Sequence, residues 1–114
     1  MQIISIIMVI ASVAGAAVVE RALPKANEYI SGDCSGSINY GHHSAGLNDV
    51  TMDHTTHSVY LNGKWSLWDQ NSGNGGSCTG SQIGSVDYPK GACITTDAKS
   101  WHKNKPIKCV RNEA

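Results

Sequence analysis

The 114-residue sequence contains no phenylalanine. Its large rings come only from three tryptophans and four tyrosines, each with a polar handle that wants a hydrogen-bond partner or water. It carries no net charge, nine basic side chains cancelling nine acidic ones, so no general field is available to hold nucleic acid. No apolar period of 3.6 residues runs through any window after residue 28, which excludes a helical bundle. There is no C-x-x-C pair and no zinc-like cysteine spacing, no N-x-S/T acceptor for N-glycans, and no G-x-S-x-G nucleophile elbow. What remains, 40% apolar and 16% charged residues, has the composition of one folded domain.

Residues 3–19 read IISIIMVIASVAGAAVV, an uncharged run that fades into small residues and ends on the small–x–small pattern Ala14-Gly15-Ala16. This pattern predicts a signal peptide over 1–16 with cleavage after Ala16 or Ala17, and no transmembrane anchor after processing. A polar lead-in or pro-segment over 17–28 and a single all-β domain over 29–114 then follow. All four cysteines, Cys34, Cys78, Cys93 and Cys109, lie beyond the leader. In a short exported chain they read as two disulfides, with all three pairings open. Joining Cys78 to Cys93 alone would contribute about 3 kcal/mol in the chain-entropy model.

The apolar residues come in short runs bounded by Gly, Asn, Ser and Asp, the punctuation of an all-β domain. Strands are predicted over 37–40, 50–52, 58–61, 64–68, 77–83, 92–96 and 106–111, with loops at 73–76 and 87–91. Asn62-Gly63 between two β-prone runs predicts a type I′ hairpin. In that hairpin Val59, Leu61 and Trp68 share one face, and Tyr60, Trp65 and Leu67 the other.

Three constellations bear chemistry. His42, His43, His54, His57 and His102 stand near Asp49 and Asp53, and imidazole suits zinc or copper. In a regular strand His54 and His57 point to opposite faces, so exposed loop histidines and no bound metal or other cofactor are expected. The second is charge asymmetry: 28–97 holds seven acids against Lys64 and Lys90, while Lys99, Lys103, Lys105, Lys108 and Arg111 follow with no acid among them. Trp101, His102, Lys103, Lys105, Lys108 and Arg111 thus form a candidate contact for an anionic membrane surface, cell-wall polysaccharide or protein partner. The competing reading is a solvated edge strand that these lysines guard against edge-to-edge pairing. Third, Tyr60, Trp65 and Trp68 could stack on a sugar, although tryptophans in so small a domain more often build its core. Catalysis is not expected. Glu20, Glu28 and Glu113 stand at the extremities, which removes the glutamate that a small guanyl-specific ribonuclease needs in its body. A chain this short also has little room for a deep two-carboxylate cleft.

Ser58-Val59-Tyr60-Leu61, then Gly63-Lys64-Trp65-Ser66-Leu67-Trp68-Asp69 and Gly75-Gly76-Ser77, resembles the joint between two Greek keys of a βγ-crystallin-type domain. Trp101 to Val110 resembles the tryptophan-bearing approach to the last strand of such a domain. The whole layout is similar to the small secreted cysteine-containing proteins of filamentous fungi, many of them effectors, killer-type toxins or antimicrobials. The resemblance implies a Greek-key β-sandwich, secretion, and binding without catalysis to an extracellular target of a host or competitor. An extracellular enzyme inhibitor or carbohydrate-binding module is the alternative. At the positions of a crystallin-type calcium motif, 53–58 and 104–109, His54, His57, Lys105 and Lys108 replace oxygen donors, so calcium is not expected there.

Overall fold

In the structure, a computed structural model that describes residues 24–97 and 104–113, the chain passes through Asn62-Gly63 without turning back. The strands are β1 (Lys25–Tyr29), β2 (Ile38–His43), β3 (Asp49–Thr51), β4 (Ser58–Asn71), β5 (Cys78–Thr95) and β6 (Cys109–Asn112). The predicted hairpin is therefore one continuous strand. Gly63 takes a φ of 104°, but Asn62 does not share its left-handed backbone, and a type I′ turn needs both. The site is a bulge instead. Leu61 faces Ala92 and Gly63 faces Tyr88, so 89–91 is looped out opposite Asn62. The expected turn at 87–91 is the other half of the same irregularity, inside β5.

β4 is the spine. β5 runs along one edge, and the other edge is shared by β1 over Ser58–Asn62 and β6 over Trp65–Trp68. β2 lies beyond β1 and β3 beyond β6, every pairing antiparallel. The all-β class holds, but the strands form one six-stranded sheet curled into a half-barrel where two stacked sheets are expected. Among the described residues no helix is long and apolar enough to cross a membrane.

One core lines the concave side. Val59, Leu61, Trp65 and Leu67, all odd-numbered, project from β4 into it. They meet Ala26 of β1, Val50 of β3, Ile83 and Ile94 of β5, and Val110 of β6, with Met52 and Ile107 closing the ends. Each large side chain removed from water contributes about 1.5–3 kcal/mol. The hairpin reading sets Trp65 and Leu67 opposite Val59 and Leu61; in a continuous strand the period of two returns them to the same face. The sheet also starts at Lys25, ahead of the expected boundary at residue 29, because Ala26 and Glu28 alternate inward from β1. The predicted leader and its cleavage site lie outside the described residues.

Cys34 pairs with Cys93 and Cys78 with Cys109, so the two closed loops interleave and Cys78 does not join Cys93. With partners 59 and 31 positions apart in sequence, each crosslink is worth about 4 kcal/mol in the chain-entropy model. No described cysteine is free.

Candidate functional site

A cleft of about 190 Å³ opens on the concave side between the two end strands of the sheet. Its lining includes Glu28 from β1, Tyr40 and His42 from β2, Asp49, Val50 and Thr51 from β3, and Asp53 just beyond. The register explains the cluster. Glu28 lies opposite Tyr40 and Ala26 opposite His42, so Glu28, Tyr40 and His42 share a face, with His42 diagonal to Glu28.

Glu28 is the centre of the cluster and is only 1% exposed. A carboxylate so far from water is tolerable only when its oxygens are bonded. Thr56 Oγ1 donates to one oxygen at 2.6 Å, and His42 Nε2 stands 2.7 Å from the other. Thr56 is itself held near Asn39, whose amide donates to Thr55 Oγ1 at 2.9 Å and Thr56 Oγ1 at 3.3 Å. Glu28 therefore sits in the body of the sheet, a correction to its expected place at an extremity. The sequence signal was faint: one inward alternation in a five-residue polar strand.

Asp53 Oδ1 accepts from the backbone N–H of Thr55 at 2.9 Å and from its hydroxyl, and Oδ2 accepts from Tyr40 Oη at 3.1 Å. The Thr55 hydroxyl foremost holds the Asp53 carboxyl below the usual range, and the bond to Asp53 pushes the Tyr40 phenol up. Asp49 takes both prongs of Arg111, Nε at 2.9 Å and Nη2 at 3.0 Å, and accepts the Cys78 N–H at 2.9 Å. The Arg111 fork keeps the Asp49 carboxyl below its ordinary value.

Arg111 is thus engaged by Asp49, and its guanidinium also lies over the Trp68 ring at 5.0 Å. Lys105 reaches Asp69 at 3.5 Å. Lys108 is half-buried, and its backbone bonds Trp68 and Met52. Trp101, His102 and Lys103 lie outside the described residues. Of the aromatic set, Trp65 has no exposed surface and is a core residue, a correction to its place in a sugar platform. Trp68 is half-buried, and Tyr60 lies under Lys25 with its hydroxyl donating to Lys90 O at 3.3 Å.

The histidines disperse. His42 bonds Glu28, His57 Nδ1 stands 3.0 Å from Asp97 at the surface, and His43 and His54 are exposed. Among the described residues the one close-set group of potential metal ligands is Asp49 with Cys78 and Cys109, whose sulfurs are joined to each other. Compared with known protein families, with curated proteins and with solved structures, the chain matches none.

Proposed function

We propose that the chain is a secreted protein that works by contact and not by catalysis, an effector or toxin-like antimicrobial directed at a host or competitor. The carrying observation is where apolar surface is left in water. Ile30, Ile38 and Tyr40 are 61%, 49% and 46% exposed, with Tyr40 on the cleft side of β2 opposite Glu28 and Ile38 on the other face opposite Tyr29. Large apolar side chains left in water on and beside one edge strand make that strand the candidate contact. Around them the acid–base groups are already bonded to one another, Glu28 to His42 and Asp49 to Arg111. Two disulfides suit an oxidising compartment outside the cell.

The basic segment Trp101, His102, Lys103, Lys105, Lys108 and Arg111 is the proposed target contact. Protein recovered from culture fluid is expected to show the mass of the chain without its leader. Alanine at Lys103, Lys105 and Lys108 is expected to weaken growth inhibition or the host response while thermal unfolding still reports a folded domain. Full activity in that triple variant would retire the basic contact. Retention on chitin, lost in Trp68→Ala, would move the assignment to a carbohydrate-binding module.

A further inference from the structure

We propose that the outer edge of β2 is a docking edge for an extended, lysine- or arginine-bearing segment of a partner protein, added as a further strand. The proposal rests on the binding role above and gives it a site and a partner chemistry.

Among the described residues β2 pairs with β1 alone, so its other edge presents unpaired backbone groups. Natural sheets blunt such edges, and here the others are blunted. The outer edge of β5 carries Pro89 and Lys90, with left-handed glycines at 80 and 91 and three breaks of register along its pairing with β4. β3 has three residues, too few to template another strand. β2 has six, Ile38-Asn39-Tyr40-Gly41-His42-His43, with no proline, lysine or acid. Its one irregularity lies between Tyr40 and Ile38, which leaves 40–43 in regular register.

The cleft fixes the charge of the partner. Tyr40 and His42 belong both to this edge strand and to the cleft wall, so an added strand places alternate side chains on the same concave side. There they meet a wall in which Asp53 is exposed, Asp49 half-buried and Glu28 buried. The basic side chains nearest that wall are engaged, Arg111 by Asp49 and His42 by Glu28, while Asp53 is exposed. A long cationic side chain is attracted and can extend into the opening; an acidic one is repelled. Backbone pairing supplies affinity and the alternating pocket supplies selection, the division of labour in strand addition. Exposed Ile38, on the face away from the cleft, adds apolar surface at one end of the edge strand.

The test uses the full oxidised chain and four labelled heptapeptides read by fluorescence anisotropy. One alternates Thr and Lys, the second alternates Thr and Glu, and the other two are the Lys peptide with alternate backbone nitrogens methylated, one in each register. The Lys peptide is expected to bind at least about tenfold more tightly than the Glu peptide. Methylation in one register is expected to abolish binding, and Asp53→Asn to weaken it by roughly two- to fivefold. Slowed amide exchange confined to 38–43 should accompany binding. Equal affinity for Lys and Glu peptides overturns the proposal. So does binding of both methylated registers like the parent, which is charge adsorption, or no binding of any peptide at millimolar concentration. If the peptides fail while the exported protein keeps its effect on target cells, the docking edge falls and the binding role stands.

Discussion

The indole nitrogen of Trp65 donates to the carbonyl oxygen of Asn62 at 2.8 Å, tying the core's largest ring to the backbone of the bulge. Gly63 lies between them with its φ of 104°. The bend of the long β4–β5 ribbon and the filling of the core are thus fixed by one contact. Gly63→Ala is expected to destabilise the fold by about 1–3 kcal/mol, since a Cβ is poorly tolerated at that φ. Trp65→Phe should lose about 1 kcal/mol from the hydrogen bond, plus a packing loss from the smaller ring. Urea unfolding of both variants checks this, and an unchanged midpoint for Gly63→Ala contradicts the role of the bulge.

Tyr60 lies across Gly91 so closely that a Cβ there would run into its hydroxyl and ring. Gly91 also takes a φ of 81°. Gly91→Ala is expected to be strongly destabilising, and the penalty should shrink by about 1 kcal/mol or more when Tyr60→Ser is already present. A double-mutant cycle measures the coupling; strict additivity would mean that backbone strain alone sets the cost.

The Asp49–Arg111 fork predicts the acid limb of stability. The folded-state pKa of Asp49 is depressed, chiefly by Arg111. Its contribution is therefore present at neutral pH and is lost as the pH falls through the folded value, below about pH 4. Asp49→Asn is expected to cost about 1–2 kcal/mol at pH 7, held to that range because Arg111 is 34% exposed. It should also flatten the decline below pH 4. Chemical denaturation repeated from pH 7 to pH 2 tests both, and an acid limb as steep in the variant as in the parent would remove Asp49 from it.

The two crosslinks differ in access. Cys93 is exposed and Cys34 half-buried, whereas Cys78 and Cys109 are 6% and 0% exposed. Attack by a thiolate needs a sulfur it can reach. Graded dithiothreitol followed by alkylation and peptide mass mapping should label Cys34 and Cys93 first. Simultaneous labelling of all the cysteines would show that the molecule opens as a unit before reduction.

Strand content was legible because short apolar runs and turn residues alternate along the chain, and β2, β3 and β6 fall on or beside predicted strands. The path of β4 was misread because Asn-Gly has two uses, and the local preference for a hairpin outweighed a longer signal. Val59, Leu61, Gly63, Trp65 and Leu67 keep one parity across the supposed turn. A reversal would have split them, so the alternation already argued for continuity. Of the cleft, His42, Asp49 and Asp53 stood out as a histidine–aspartate cluster. Glu28 did not, because its burial depends on partners distant in sequence, His42 and Thr56. The disulfide pairing was likewise unreadable, since it is decided by which strands adjoin in space.

The interleaving of the two crosslinks has a consequence for survival among proteases. With Cys34 joined to Cys93 and Cys78 to Cys109, one peptide-bond cut anywhere between Cys34 and Cys109 leaves both pieces on a single covalent skeleton. No such nick sheds a fragment. A side-by-side pairing of the same cysteines would lose that tolerance, because its two bridges would leave the stretch from Cys78 to Cys93 unspanned.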